Sequence, residues 1–441
     1  MWSAPWHHER VTGPHIGVVS GGFPPFRGSG AFRPLAVANA LAKVGARVTV
    51  IAADREVFLI HYGADTSLEQ RIDARIAMRY VPFYPENAWP VLNDWVPERA
   101  GASSDHAKKR NRIVPAFPEK VYDTWLPRID DALRQLHHDD PVDLIWSTGS
   151  PYGDLEAAVN VGTDDVIPVV LDDRDSFLAD VFTGGEHKLF AARRPFAERW
   201  FRCASQMWFV NPPIADWHRD RFPQFADRFQ VVENGWDPGT VDPSLIRATP
   251  GDRLRVGYVG LVPTNFPMDV VLGAWQRVHA ELTHPAELLF IGPLGYATGS
   301  PAWQAAAAQI AATNGVSWHG HLSRTEIASA YADLDVLLLA KEGGVMVTGG
   351  KTYEYGATGL PIAGIVDPQS DAVRVLAGYP RFHLTSAMTI DAAADTLRAA
   401  ISDSRSGDST DLSAAQKFGA SLSREAALGP ALEQVMQLAA S

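Results

Sequence analysis

The chain has 441 residues, a formal net charge of −12 and a single cysteine, Cys203. A chain of this length is too long to fold around one ordinary hydrophobic core, which favours two domains. The acidic balance argues against a general nucleic-acid binder, and one cysteine excludes an internal disulfide, which suits the cytoplasm. No stretch approaches the ~18 uninterrupted apolar residues of a membrane span, and the N-terminus lacks the apolar core of a secretory signal. We therefore expect a cytoplasmic protein with no transmembrane segment.

The first half of the chain alternates apolar runs with stretches of helical periodicity. Strand-like runs begin at positions 15, 47, 75, 142, 168, 206 and 229. Several of these runs are continuously apolar, which is typical of parallel strands buried on both faces. The stretch "FRPLAVANALAKVG" places Leu35, Ala38 and Leu41 on one helix face. Repeated strand–helix units predict a doubly wound α/β sheet.

A segment rich in proline, glycine and aspartate, "WDPGTVDPSLIRATPGD", follows at 236–252 and is interpreted as a linker. The strand–helix alternation then restarts, with apolar runs beginning at 254, 286, 316, 336 and 361. We therefore predict two Rossmann-like domains facing a cleft: an N-terminal acceptor domain at 1–240 and a C-terminal donor domain at 241–410. The helical end, 411–441, is expected to pack back on the N-terminal domain.

The stretch "GGFPPFRGSG", Gly21 to Gly30, lies between the first predicted strand and the first predicted helix. Glycines let the backbone approach a ligand closely, and a helix N-terminus attracts anions. A plain long turn is the alternative. A nicotinamide site is disfavoured because Arg33 stands where the third glycine of G-x-G-x-x-G belongs.

A second candidate site lies in "EGGVMVTGGKTYEYGATGLPIAG", from Glu342 to Gly364. The Thr348 hydroxyl, the bare backbone amides that follow it and the Lys351 cation suit a diphosphate at the start of a helix. Glu354 lies one turn later, where a carboxylate can accept two hydroxyls of a ribose. A partnership with the helix dipole is the alternative for Glu354.

The segment "TGGKTYEYGATGLPIAG" resembles the donor segment of nucleotide-sugar glycosyltransferases with the GT-B fold. In particular it looks like the large retaining family, glycosyltransferase family 4, that contains sucrose synthase and many bacterial glycan transferases. Further segments resemble that family in the same order: "VVSGGFPPFRGSG", "LIWSTGSPYGDLEAA", "VVLDDRDSF", "VVENGWDP" and "WHGHLSRTEIASAYADLDVLLL". The resemblance implies transfer of a sugar from a UDP, GDP or dTDP sugar to a small-molecule or glycan acceptor, with retention.

The resemblance also implies roles for individual residues. Glu354 would hold the donor ribose. The donor diphosphate would meet the backbone of Thr348, Gly349 and Gly350, and the turn at His321 and Leu322 would flank the base. From the first domain, a short loop would close on the diphosphate: Gly28, Ser29 and Gly30.

The chain departs from the family pattern at two points. No basic residue follows the strand "GYVG" in "GYVGLVPTNFPMD", so a cation expected on the diphosphate is missing, and Lys351 or Arg174 are its candidate replacements. The family motif of two glutamates separated by seven residues is also broken, because Met346 occupies the first position. Glu342 serves there only if a four-residue insertion intervenes.

No pair of carboxylates arranged as in hydrolases is evident, so we expect the leaving diphosphate to take the acceptor proton while the protein supplies position and charge. Lys351 would neutralise the leaving group. Arg174 and Asp175 would orient the acceptor or the sugar, with a strand-end salt bridge as the alternative. No cluster has metal-ligand spacing, so we expect no metal and no cofactor beyond the donor. A non-catalytic sugar-nucleotide binder and an epimerase of the same fold remain alternatives.

Overall fold

The computed structural model describes residues 13–83, 117–119, 125–247, 251–263, 266–295, 301–320, 322, 324–406 and 409–441. The chain divides into two compact units. Unit 1 comprises Met1–Asp180, Gly185–Val232 and Leu428–Ser441, and unit 2 comprises Val181–Gly184 and Glu233–Ala427. In the described part of the chain, no helix is both long and apolar enough to cross a bilayer.

Unit 1 is built on a parallel sheet of seven strands in the order β3-β2-β1-β4-β5-β8-β9. A separate antiparallel pair is formed by β6 and β7. The strands are β1 His15–Val19, β2 Arg47–Ala53, β3 Ala77–Val81, β4 Leu144–Gly149, β5 Val169–Asp173, β6 Ala179–Asp180, β7 Gly185–Glu186, β8 Gln206–Phe209 and β9 Phe229–Val231. Every residue of β1, β4, β5 and β8 is buried, as expected for parallel strands covered by helices on both faces.

The helices of unit 1 connect these strands. They are α1 Phe32–Lys43, α2 Trp125–Asp139, α3 Gly153–Asp164, α4 Phe190–Cys203 and α5 Pro212–Arg221. Shorter helical turns lie at Ser29–Ala31, Arg55–Val57, Phe58–Tyr62, Thr66–Arg71 and Pro223–Arg228.

Unit 2 is built on a parallel sheet of six strands in the order β12-β11-β10-β13-β14-β15. Its strands are β10 Leu254–Val259, β11 Ala286–Ile291, β12 Val316–His319, β13 Val336–Lys341, β14 Ile362–Val366 and β15 Phe382–Leu384. The helices that follow α5 are α6 Met268–Glu281, α7 Pro301–Ala312, α8 Arg324–Ala332, α9 Gly350–Thr358, α10 Asp371–Val375, α11 Ile390–Ser406, α12 Ser409–Ser421 and α13 Arg424–Ala439. A short turn lies at Pro243–Leu245.

The predicted fold class, two doubly wound α/β domains, is confirmed by these two parallel sheets. In each sheet the strand order reverses once, between β1 and β4 in unit 1 and between β10 and β13 in unit 2. Such a reversal opens a crevice at the carboxyl ends of the strands, where ligands bind in open α/β sheets. The short strand β15 and the β6–β7 pair had no counterpart among the predicted strands.

A buried ion pair connects the first helix of unit 1 to its sheet. Arg33 Nε and Nη2 each donate to the Asp172 carboxylate at 2.8 Å, and the Thr148 hydroxyl donates to the same carboxylate at 2.8 Å. Arg33 and Asp172 are both buried, so each charge depends on its partner for compensation. Arg33, which stands where the nicotinamide motif has its third glycine, therefore connects α1 to β5.

The start of the segment interpreted as a linker is folded into unit 2. Trp236 Nε1 donates to the Gly419 carbonyl at 2.8 Å. Arg424 donates to both carboxylate oxygens of Asp237, at 2.8 and 3.2 Å. These contacts attach the first residues of that segment to the C-terminal helices. Beyond them α13 continues into unit 1, where Leu428, Ala431, Leu432, Val435 and Ala439 join the core around β1, β2 and β4.

His218 is fully buried in an aromatic cluster of unit 1. Its ring stacks on Phe209 with centroids 4.3 Å apart, and Nδ1 donates to the Ile214 carbonyl at 2.8 Å. Burial, with a smaller contribution from the nearby Arg221 charge, lowers the pKa of His218 to about 4, although the hydrogen bond to Ile214 opposes the shift. The folded protein therefore holds this ring neutral at a pH where the unfolded chain protonates it.

We expect His218 to weaken the protein in acid. Because the folded pKa lies below the unfolded value, stability contributed at neutral pH is lost as pH falls from about 6.5 towards 4, by roughly 3 kcal/mol in total. His218→Phe should remove that dependence. Urea unfolding at pH 7, 5 and 4 should show that the free energy of unfolding of His218→Phe increases relative to that of wild type as pH falls. A control substitution of the exposed His138 should leave the pH dependence of wild type unchanged. Parallel curves for wild type and His218→Phe would contradict this account.

Candidate functional site

The strand reversal of unit 2 is lined by bare backbone. Gly260 directly follows β10 with φ +116° and Gly292 directly follows β11 with φ +130°, values that L side chains rarely adopt. A Cβ on Gly292 would lie 2.5 Å from the Gly260 carbonyl oxygen, so the close approach of the two strand ends requires glycine at position 292.

Lys351, in the first turn of α9, reaches across to the end of β10. Its Nζ donates to the Tyr258 hydroxyl and to the Leu261 carbonyl, the latter at 3.2 Å, and lies 3.7 Å from the centroid of the Tyr258 ring. Desolvation of the ammonium lowers the pKa of Lys351 to about 7, although the Glu354 carboxylate opposes the shift. Leu261 directly follows "GYVG", where the family resemblance expects a cation. The positive charge at that strand end therefore comes from α9.

Lys341, the last residue of β13, is a second cation at this edge, and the sequence reasoning missed it. Its Nζ donates to the Gly344 and Val347 carbonyls, each at 3.0 Å. Burial lowers the pKa of Lys341 to about 8. Gly343 and Gly344 adopt left-handed φ values of +64° and +70°, which turn the chain back over the lysine. Lys341 thus organises the loop between β13 and α9. A lysine ending an otherwise apolar strand was the available signal.

Thr348 differs from the expectation for its side chain. Its buried hydroxyl donates to the Asp371 carboxylate at the start of α10. Asp371 also accepts from Arg374 Nε at 2.6 Å, and Arg374 Nη2 pairs with Glu233 at 2.6 Å. The hydroxyl therefore joins the loop to a charged network. Arg374 and Asp371 were not singled out from the sequence.

The start of α9 is exposed and bare. Gly349 occupies the N-cap position without a side-chain hydrogen bond, and Gly349 and Gly350 are both exposed. Glycine at the N-cap has no side chain with which to satisfy the first amides of the helix, where the dipole favours negative charge. Together with Lys351, this helix start forms the cationic end of the unit 2 crevice.

Glu354 lies one turn into α9 and is half-buried. The Tyr331 hydroxyl donates to Glu354 Oε2 at 3.0 Å, which orients the carboxylate. Glu342 is exposed at the beginning of the β13–α9 loop, and Met346, at the position of the missing motif glutamate, is buried.

Of the two residues expected to flank a base, Leu322 is half-buried and packs against the hydrophobic cluster around β11, β13 and α9. His321 lies outside the described residues. Of this expected pair, the described residues therefore include Leu322, which lies in unit 2.

In unit 1 the structure brings two of the predicted residues together. Arg174, immediately after β5, donates from Nε to the Gly149 carbonyl at 2.6 Å and from Nη1 to the Gly30 carbonyl at 3.0 Å. Arg174 thereby connects the ends of β4 and β5 to the glycine-rich loop, in which Ser29 is exposed in a short helical turn. Asp175, the next residue, is exposed and forms no part of this link.

The glycines of this loop are required by contacts within the unit itself. A Cβ on Gly28 would lie 2.2 Å from the Phe26 ring, and a Cβ on Gly21 would lie 2.9 Å from Pro151. A Cβ on Gly30 would meet Arg174 Nη2 at 3.4 Å. The bare backbone therefore has a packing explanation in addition to any ligand that it faces.

The described residues contain no group of three or more His, Cys, Asp or Glu side chains arranged to hold a metal ion.

No family model and no curated protein sequence matches this chain. Among solved structures, HepE of Anabaena in complex with UDP and glucose is similar, with a TM-score of 0.63 and 15% sequence identity over 96% of this chain and 99% of that chain. Sucrose-phosphate synthase from Thermosynechococcus elongatus has a TM-score of 0.62 and 15% identity over 97% of this chain and 100% of that chain. A Listeria monocytogenes protein designated as a UDP-N-acetylglucosamine 2-epimerase has a TM-score of 0.52 and 10% identity over 96% of this chain and 97% of that chain.

At identities this low, the likeness establishes the fold and leaves the chemistry to the residues. The two parallel sheets match the two Rossmann-like domains of these structures. This chain has the GT-B fold.

Proposed function

We propose that this protein is a glycosyltransferase that moves a sugar from a nucleoside diphosphate sugar to a small-molecule or glycan acceptor. The observation that carries the proposal is the convergence of Lys351 and the bare start of α9 on the end of β10, at the strand reversal of unit 2. A cation and free helix amides at one point suit a diphosphate. Glu354, one turn further along, suits the two hydroxyls of a ribose.

UDP is the donor nucleotide that we would test first, ahead of GDP and dTDP. HepE, which shares the fold, has been solved with UDP and glucose and with UDP-glucose. The proposal for this chain rests on its own residues, and the HepE complexes serve only to choose which ligand is tested first.

In the proposed reaction the bond between the anomeric carbon and the diphosphate oxygen breaks, and a bond from that carbon to the acceptor forms on the same face. The leaving diphosphate takes the acceptor proton. Lys351 stabilises the negative charge that grows on the diphosphate, and a preorganised cation in a desolvated site is effective in that role. Arg174 and Asp175 of unit 1 orient the acceptor or the sugar. The proposal requires no metal and no cofactor beyond the donor.

Glu354→Gln should weaken UDP binding, because the variant loses a hydrogen bond to a charged group, which is worth roughly 1.5–3 kcal/mol. Calorimetry with UDP gives the affinity, and urea unfolding shows that the fold is retained. Glu281→Gln, at the exposed end of α6, is the matched control and should bind UDP as wild type does. An unchanged affinity in a folded Glu354→Gln protein would remove Glu354 from the site.

The pH dependence of UDP binding should report on Lys351. Because its pKa is lowered to about 7, the free protein loses this positive charge as pH rises above 7, and affinity should fall by up to about tenfold per pH unit. Lys351→Arg keeps its charge throughout, so its affinity should stay level between pH 7 and 9. Since ionisation of UDP itself affects both proteins equally, the difference between their curves isolates the lysine. Coincident curves would show that Lys351 does not meet the diphosphate.

Turnover separates the transferase from a non-catalytic binder and from an epimerase. Lys351→Ala should lower kcat for acceptor-dependent UDP release by about 100-fold or more, the scale of losing one electrostatic stabiliser. UDP affinity should fall less, because the amides of α9 remain. The assay compares UDP release with and without acceptors across a panel. Binding of UDP-sugar without acceptor-dependent release would favour the binder, and release that ignores the acceptor would speak against transfer.

A further inference from the structure

The crevice of unit 1 contains a helix start whose amides are already occupied. Helix α3 begins at Gly153, just beyond the end of β4 and beside the strand reversal. Glu119 Oε2 accepts from the backbone amides of Tyr152 at 2.7 Å and Gly153 at 3.1 Å. A helix N-terminus attracts an anion through these amides. Here a carboxylate from the chain itself holds that position.

A second carboxylate occupies the amide at the end of β1. Asp154, in the first turn of α3, is fully buried. Its Oδ2 accepts from the Gly21 amide at 2.6 Å, and its Oδ1 accepts from Trp125 Nε1 at 2.5 Å. The glycine-rich loop therefore presents its first amide to Asp154.

The same arrangement recurs after β5. Asp173 is buried, and both of its carboxylate oxygens lie 3.0 Å from the Phe177 amide, which donates to them. Three carboxylates thus take backbone amides at the carboxyl edge of one sheet. These amides are the groups with which a Rossmann-like unit binds phosphate.

Two arginines of this edge donate to backbone carbonyls of the same unit. Arg174 donates to the Gly149 and Gly30 carbonyls. Arg193 Nη1 donates to the Phe177 carbonyl at 2.7 Å, and its guanidinium lies 4.6 Å from the centroid of the Phe177 ring. Unit 2 differs: the N-cap residue of α9, Gly349, makes no side-chain hydrogen bond, and Lys351 lies in the first turn of that helix.

We infer that Glu119 and Asp154 are specificity residues that exclude anions from the unit 1 crevice, so that the acceptor is a neutral polyol or an amine and carries no phosphate or carboxylate. The acceptor part of this inference rests on the proposed function. The exclusion of anions from unit 1 does not, and it can be measured without turnover.

The test uses the full chain with UDP at saturation, so that unit 2 is occupied, and titrates inorganic phosphate by calorimetry. Wild type should show no phosphate site. Glu119→Ala removes the side-chain oxygen that occupies the amides of Tyr152 and Gly153 and so frees these amides, and the variant should gain a site with a dissociation constant of about 1 mM. Glu119→Gln keeps an oxygen for those amides and should behave as wild type. UDP affinity and urea unfolding confirm that each variant is folded.

A phosphate site in wild type as strong as in Glu119→Ala would overturn the inference, as would a folded Glu119→Ala protein that gains none. If Glu119→Ala does not fold, wild type and Glu119→Gln still decide, because phosphate bound by either one contradicts the inference and phosphate bound by neither supports it.

Acceptor preference is the second measurement. For sugar acceptors that differ only by a phosphate group, kcat/KM for UDP release should be at least tenfold higher for the neutral member. A preference for the phosphorylated member would refute the proposed exclusion. Absence of turnover with every acceptor would count against the glycosyltransferase proposal, and the phosphate titration would then decide the present inference by itself.

Discussion

A parallel sheet brings the carboxyl ends of all its strands to one edge, and this constraint positions every group of chemical interest in the protein. In unit 2 that edge collects residues far apart in the sequence. Gly260 and Gly292 directly follow neighbouring strands, and Lys341 ends the strand on the other side of the reversal. The start of α9 follows within the same loop. Without the reversal of strand order between β10 and β13, the helices would close over this edge and no crevice would remain.

Charge at this edge is set by position in space and is largely independent of position in the sequence. The family resemblance expects a cation soon after the strand "GYVG", and the segment "GYVGLVPTNFPMD" has none. Lys351 reaches the end of that strand from α9, with Nζ on the Leu261 carbonyl and over the Tyr258 ring. Desolvation makes such a lysine easier to deprotonate and also makes its charge more effective when protonated, since both effects follow from the same low local polarity.

The two units share a topology and differ in chemistry. Each has a parallel sheet with one reversal and a helix that starts beside it. In unit 1 carboxylates occupy the amides at that start, as Glu119 does at Gly153. In unit 2 the corresponding helix start is uncapped and cationic. A fold of this kind offers a place for a ligand, and the side chains beside it decide the charge that the place accepts.

The sequence by itself determined the two-domain α/β architecture, because continuously apolar runs such as β1 and β13 identify buried parallel strands whatever surrounds them. It also predicted Lys351 and Glu354 as donor-site residues, since a helix start after a strand is a local pattern, and their roles stay a prediction. Tertiary structure alone decided the partners. Three sets of contacts follow no local periodicity of the sequence: the Arg33–Asp172 ion pair, the hydrogen bonds from Lys341 to its own loop and the capping of α3 by Glu119. The short strand β15 was missed for a related reason. Its three residues are only half-buried, so its apolar pattern is weak, and it forms a strand because it pairs with β14.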